Sequence, residues 1–176
     1  MLVVAATERE LAYVHGAETL CCGVGPVDAA ATTARAIEER RPDAVLHIGL
    51  AGARGIAPPA LVLGSESFYS DVFDPGSTFP RVERVSPDAA LLARARVALP
   101  DALVLPIATS GRVGGATSCD VEAMEGFGVL RACELAGVPA LELRAVSNDI
   151  GEADRAKWRF DDALAALRDA VARVLG

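Results

Sequence analysis

Lysine is nearly absent from this chain: Lys157 is the only one. A phosphate-cradling loop of the Walker type ends on a lysine, and none follows any glycine-rich turn here. Histidine is almost as scarce, with His15 and His47 alone, and the four cysteines include no Cys-x-x-Cys spacing. A zinc site is therefore not expected. Cys21 and Cys22 are adjacent, so in a strand they point to opposite faces; with Cys119 and Cys133 they read as small buried hydrophobes in a reducing compartment. The composition is apolar, with 52% hydrophobic residues and a mean hydropathy of +0.32. Even so, no stretch reaches the ~18 unbroken apolar residues of a membrane span. The N-terminus, MLVVAATERE, carries charge and lacks the basic-then-apolar layout of a signal peptide. A cytoplasmic protein with no membrane partner is the expectation. The formal net charge of −7 comes without any basic stripe, which argues against a nucleic-acid partner.

What is present is a regular alternation. Six short apolar runs read as strands: Leu2–Ala6, Thr19–Val24, Ala44–Ala51, Leu61–Tyr69, Ala102–Thr109 and Ala140–Ser147. Helical patterns cover Val27–Arg40, Asp88–Ala98, Val121–Ala136 and Asp161–Leu175, with Ser86 as a polar cap ahead of Pro87 at the second of these. Strands that alternate with helices, several of them continuously apolar, predict an α/β fold with a mixed or largely parallel sheet covered on both faces. At 176 residues the chain fits one domain spanning 1–176. Such a chain buries roughly 70% of its unfolded surface and builds a core without disulfides or metals. There are no repeats and no linker; Asp71–Pro80 reads as a loop.

Ligands of open α/β sheets bind beyond the carboxyl ends of strands. Those ends carry TERE (Thr7–Glu10), GVGPVD (Gly23–Asp28), GLAGARG (Gly49–Gly55), SGRVGG (Ser110–Gly115) and NDIGEADR (Asn148–Arg155). GVGPVD matches half of a dinucleotide fingerprint, but Asp28 stands where the third glycine is needed, and no ribose-binding acid closes the third strand. No nicotinamide cofactor is expected, and no other cofactor is implied. Thr7-x-x-Glu10 also has the spacing of a helix capping box.

Taken in order, TERE, CGVGPVDAA, PDAVLHIGLAG, EAMEG and RAVSND resemble the nucleoside phosphorylase and nucleosidase superfamily along nearly the whole chain. EAMEGFGVLRAC and RAVSNDIGEADRAKW bring the likeness closest to the futalosine hydrolase family, which releases a purine in an alternative menaquinone route. The resemblance implies a single three-layer α/β/α domain around a central mixed sheet. It also implies a homodimer or larger homo-oligomer with a small-molecule nucleoside as partner.

The resemblance further implies roles. Glu125, of the Met-Glu pair, would grip the ribose hydroxyls; a carboxylate is a pure acceptor and takes two hydroxyl donors at once. Its charge would favour an oxocarbenium-like transition state. Met124 would pack under the sugar. Glu10 would activate water as general base, with Glu8 as runner-up, and Arg144 would orient Glu10 or the water. The other reading of Arg144 is an ion pair with Glu142 on the same strand face. Glu122 reads as a first-turn acid of the helix that follows. Asn148 stands where adenine-releasing relatives carry an aspartate. An amide donates to N7 and O6 of a 6-oxopurine and stabilises charge on the leaving base. A shift of register would bring Asp149 into an acid role instead. Gly25, Ala51 and Gly52 would line the substrate. Phe127, Phe73 and Trp158 are candidates to stack on the base, since SGRVGG lacks the aromatic that relatives use there, with the core as the other reading of Phe127, only two residues past Glu125; Phe68, Phe73, Phe79 and Arg81 are candidates for the far end of the substrate. Leu50 replaces the hydroxyl favoured by phosphorylases, so water is the expected nucleophile, with Arg54 as the one residual anion ligand.

The implied reaction is hydrolysis of futalosine to hypoxanthine and dehypoxanthine futalosine. The alternatives are a methylthioadenosine or adenosylhomocysteine nucleosidase, a purine nucleoside phosphorylase, or a non-catalytic nucleoside-binding module.

Overall fold

A computed structural model describes residues 1–72, 76, 78–114 and 117–176. The elements run β1 (Leu2–Ala5), α1 (Glu8–Leu11), β2 (Glu18–Cys21), α2 (Pro26–Arg40), β3 (Val45–Ala53), β4 (Leu61–Tyr69), β5 (Arg84–Val85), α3 (Ala89–Ala98), β6 (Leu103–Thr109), β7 (Val121–Ala123), α4 (Gly126–Ala136) and β8 (Ala140–Asp149). A 3₁₀ turn (Arg155–Lys157) and α5 (Phe160–Leu175) close the chain. All six expected strands and all four expected helices are present, with ends moved by a few residues. The short α1, β5 and β7 are additional.

The sheet is mixed and curls on itself. β3 pairs in parallel with β8, β8 pairs antiparallel with β4, β4 runs parallel to β6, β6 to β7, and β7 returns antiparallel to β3. That closes a ring of five strands, and β1 and β2 extend from β3 as a parallel wing. The ring is filled by small and branched residues: Ala51, Ala53, Val62, Ile107, Val121, Ala123 and Val146.

Period-2 alternation decides which helices cover which face. Val3, Ala5, Leu46, Ile48, Leu141, Leu143 and Ala145 point one way, into a core with α3 and α5. Leu2, Val4 and Val45 point the other way, toward α2 and α4. On β8 that second face carries Glu142 and Arg144, and the register sets them beside His47 and Gly49 of β3. A strand with Leu, Leu and Ala on one side thus holds two charges on the other, both buried.

Two boundaries differ instructively from expectation. The segment Val121–Ala136 was expected to be one helix, but Val121–Ala123 is strand, hydrogen-bonded to both β6 and β3, and the helix begins at Gly126. Glu122 is therefore a strand residue rather than a first-turn acid, because sheet partners override the local helical pattern. At α3 the cap is Asp88, whose Oδ1 accepts from the Leu91 N–H at 2.9 Å; Ser86 and Pro87 stand outside.

Candidate active site

A cavity of about 460 Å³ opens where the ends of β1, β3, β7 and β8 converge. That is an ordinary size for a small-molecule site. Among its lining residues are Thr7 and Glu10 near β1, Leu50, Ala51 and Gly52 of β3, Glu122 through Glu125 at β7, and Ser147 and Asn148 of β8. Trp158, Phe160 and Leu164, from the chain after β8, complete the lining.

Glu10 sits in the capping box that its spacing predicted. One carboxylate oxygen accepts from the Thr7 N–H (3.0 Å) and Thr7 Oγ1 (2.7 Å), and the other from the Leu50 N–H at 3.1 Å. The second contact ties α1 across to β3 and turns the carboxylate toward the cavity. Glu125 is the N-cap residue of α4 and is 4% exposed. Its Oε1 accepts from the Gly25 N–H at 3.1 Å, and its Oε2 lies 3.5 Å from both terminal nitrogens of Arg144. Burial raises the Glu125 pKa above the ordinary carboxylate value; Arg144 and the Gly25 N–H oppose that rise, and the charges of Glu10 and Glu142 add to it.

Beneath Glu125 lies a closed polar network. Arg144, 1% exposed, donates from Nε to Glu142 Oε1 at 2.8 Å and from Nη2 to His47 Nε2 at 2.6 Å. The His47 Nδ1 is 3.0 Å from the carbonyl of Val4. A guanidinium has only donors, so His47 accepts through Nε2 and carries its proton on Nδ1. Burial and then the Arg144 charge push the His47 pKa well down, consistent with a neutral ring. Burial also works against the charge on Arg144, but Glu142 and Glu125 outweigh it and hold the guanidinium protonated. The network needs room. A Cβ on Gly49 would collide with the Arg144 guanidinium, and one on Gly126 with the Glu142 carboxylate. Both readings of Arg144 therefore meet in one geometry: it pairs with Glu142, and it lies beside Glu125 and over Gly49, the point that Glu10 also approaches.

β8 extends two residues beyond the expected end, and its pairing with β3 slips between Ala51 and Gly52, so that Ala51 faces Val146 and Gly52 faces Asn148. Ser147 occupies the bulge. Bulges re-aim side chains, and here Asn148 lines the cavity beside Gly52 while Asp149 does not line it. Asp149 is exposed and accepts from the Gly151 N–H at 2.8 Å. Asn148 Oδ1 accepts from Ser147 Oγ at 2.8 Å, and its Nδ2 donates to the Asp149 carbonyl at 2.9 Å. One amide hydrogen is left over.

The structure thus gathers Glu10, Glu125, Met124, Ala51, Gly52 and Asn148 around one cavity, with Arg144 and Gly25 directly behind Glu125. Phe127 is elsewhere: it stacks on Tyr69 in the α4 core, centroids 5.1 Å apart, because the residue two past Glu125 is already inside the helix. Phe68 lies under Arg84, and Phe79 and Arg81 line a separate surface groove. Phe73 lies outside the described residues. Arg54 donates to the carbonyls of Cys119 and Thr117 at 2.6 and 2.7 Å and does not line the cavity. Residues with no clear sequence signal include Ser147, which reads as a plain strand end until the bulge is seen, and Glu122, which lines the cavity and accepts from the Gly114 N–H at 2.8 Å. Among the described residues no three His, Cys, Asp or Glu side chains are grouped to hold a metal, and no helix is long and apolar enough to cross a membrane.

The ring-closed mixed sheet sets two carboxylates and an amide around one cavity, and comparison with known proteins identifies the class. Residues 14–117 match the family model of the phosphorylase superfamily. The futalosine hydrolase of Streptomyces coelicolor is 39% identical over 90% of this chain and 78% of its own length; that of Thermus thermophilus is 34% identical over 87% and 78%. The fold is similar to the 5′-methylthioadenosine/S-adenosylhomocysteine nucleosidases of S. pneumoniae, at a TM-score of 0.83, 22% identity and coverage of 99% and 96%, and of Neisseria meningitidis, at 0.83, 20%, 99% and 96%. The chain belongs to the phosphorylase superfamily, and within it to the N-glycosyl hydrolases of the futalosine hydrolase family.

Proposed function

We propose that the chain hydrolyses the N-glycosidic bond of futalosine, releasing hypoxanthine and dehypoxanthine futalosine. The observation that carries this reading is one cavity lined by Glu10, Glu125 and Asn148 together. Glu125, with one oxygen on the Gly25 N–H and the other only loosely approached by Arg144, accepts the two ribose hydroxyls. Glu10 takes a proton from water as the water oxygen bonds to the anomeric carbon and the bond to the purine nitrogen breaks. The electron pair leaves with the base, which takes a proton from solvent to become neutral hypoxanthine, while Glu10 returns the proton it took to solvent. Asn148 meets the base as a donor: Ser147 already donates to its Oδ1 and one amide hydrogen goes to the Asp149 carbonyl, and the amide presents its remaining N–H to the purine. That polarity suits the two acceptors N7 and O6 of a 6-oxopurine better than an adenine edge. Asp149, turned onto the Gly151 N–H, is poorly placed to act as an acid. Arg54, held by two carbonyls, is poorly placed to bind phosphate, which supports water as nucleophile. Val24, which lines the cavity, and Val27 are apolar and exposed, which supports a homodimer or larger assembly that sedimentation velocity tests.

The test is a phosphate-free assay with futalosine, inosine and methylthioadenosine in parallel, following the free base by chromatography. Hypoxanthine from futalosine supports the reading. Adenine from methylthioadenosine, or turnover only when phosphate is added, overturns it.

A further inference from the structure

The reaction uses Glu10, Glu125 and Asn148, and leaves a second buried carboxylate without a task. Glu142 is fully buried in the middle of β8. Its Oε1 takes the Arg144 Nε–H, and its Oε2 takes the hydroxyl of Ser67 on β4. Gly126, the first residue of α4, lies directly against it. A buried ion pair is weak evidence for stability, since its desolvation cost often cancels its attraction. The opposite face of the same strand packs with Leu141, Leu143 and Ala145 and needs no charge. The pair therefore calls for another reason.

The distances supply one. Arg144 makes its short contacts to Glu142 (2.8 Å) and His47 (2.6 Å), while both terminal nitrogens stop 3.5 Å from Glu125. A guanidinium and a carboxylate left to themselves close into a bidentate pair at about 2.7–2.9 Å. Such a pair at Glu125 would occupy the lone pairs that the ribose hydroxyls require. We propose that Glu142 and His47 are positioning residues that withhold Arg144 from Glu125, leaving that carboxylate oriented and open to the substrate's vicinal hydroxyls. This rests on the role given to Glu125 above. The groups that face Glu125 are Arg144 and Glu142 from β8, Glu10 from α1, Cys22 just beyond β2 and His47 from β3 behind Arg144. Cys22, its thiol pushed up to about 12 by burial and then by the Glu125 charge, stays neutral across the working range. Glu142 is thus the group whose charge competes with Glu125 for the one guanidinium.

The test is Glu142→Gln, which keeps the shape and removes the competing charge. Arg144 is then expected to close on Glu125. A carbon-13 titration of the ligand-free protein should show the Glu125 carboxyl titrating at lower pH than in the wild type. The acid limb of kcat/KM should move the same way while its plateau falls about tenfold or more. Losing the Glu142 charge lowers the Glu125 titration by itself, so a merely structural pair is recognised by an unchanged kcat/KM plateau in Glu142→Gln and an unmoved Glu125 titration in His47→Leu, which removes only a neutral ring; that result overturns the proposal. Should Glu142→Gln fail to fold, His47→Leu carries the test, with a smaller shift of the same sign expected and no shift as the refutation. The titration needs no turnover. A wild type inactive on futalosine would defeat the functional reading alone, and an unmoved titration would defeat this one alone.

Discussion

Arg144 lies under the cavity and Arg155 on its rim, and their surroundings differ in every respect. Arg144 is 1% exposed, with a carboxylate, an imidazole nitrogen and a second carboxylate around it. Arg155 is exposed, lies 5.4 Å from the centre of the Trp158 ring, and has no carboxylate within ion-pair distance among the described residues. The rim's Arg9 pairs with Asp161 at 2.6 Å, but both side chains are mostly in water. Charges in the floor interact at low effective dielectric and cannot move away; charges on the rim are screened and mobile. The floor can therefore impose a charge state and an orientation on the substrate, whereas the rim can only bias what enters.

The largest effects should follow from breaking the floor. Glu125→Gln halves the acceptor capacity offered to the ribose and removes its charge, and kcat/KM should drop roughly 10²- to 10³-fold. Glu10→Gln keeps the Thr7 and Leu50 contacts within reach but cannot take a proton, and kcat should drop about 10²- to 10⁴-fold with KM little changed. Arg155→Ala on the rim should stay within about fivefold of wild type in the same assay. Steady-state kinetics on futalosine check all three, and a rim variant as damaging as a floor variant would erase the distinction.

A smaller but still clear effect is expected on stability. Gly126→Ala places a methyl group against the Glu142 carboxylate, which is pinned by Arg144 and Ser67 and has no room to retreat. Denaturant unfolding should show a loss of about 1–3 kcal/mol, typical of overpacking. Arg112→Ala, an exposed rim change, should stay within roughly 0.5 kcal/mol. Equal losses would mean the network yields more readily than its hydrogen bonds suggest.

The same contrast explains what could be read in the sequence. The strands and helices were legible because apolar alternation is a local signal, and the Glu10 capping box was legible in its Thr-x-x-Glu spacing. β7 was not legible, because Val121–Ala123 becomes strand only when β3 and β6 arrive on either side. The Ser147 bulge was not legible either, being a mismatch between two strands nearly a hundred positions apart in sequence. Phe127 had two readings in the sequence, base and core, and only the helix that carries it off to Tyr69 decides for the core. On the rim, Trp158 could be named as an aromatic but not located, since only the return of the chain after β8, with the Arg159 N–H on the Ser147 carbonyl at 2.8 Å, sets it at the cavity wall.

Acidity should separate activity from stability. The Glu125 pKa is raised above the ordinary carboxylate value, with burial as the main cause. Activity needs the ionised form, so kcat/KM should fall as pH drops through that raised pKa, above the usual carboxylate range. Stability runs the other way. A carboxyl with a raised folded-state pKa binds its proton more tightly when folded. Its contribution is thus fully present below the unfolded value and is lost as pH rises through the folded one. Between the two pKa values, activity should climb while this stability contribution declines. Parallel pH profiles of kcat/KM and of unfolding free energy test this, and in Glu125→Gln the declining component should vanish. A limb at the ordinary carboxylate pKa would mean that the floor is wetter than its geometry implies.

The smallest expected effect lies on the rim, and it sharpens the comparison because the residue is large. Trp158 lines the cavity, donates from its indole nitrogen to the Glu152 carbonyl at 2.9 Å, and packs beside Phe160 at 5.4 Å between centroids. It contributes apolar area and a flat face but no charge. Contacts of that kind persist from bound substrate to transition state, so their loss should appear in KM rather than kcat. Trp158→Ala is expected to raise KM for futalosine roughly 3- to 10-fold, the scale of one aromatic contact, and to leave kcat within about twofold. If kcat fell instead by the amount predicted for Glu125→Gln, Trp158 would be acting on the transition state. The wall after β8 would then belong with the buried floor in setting the chemistry.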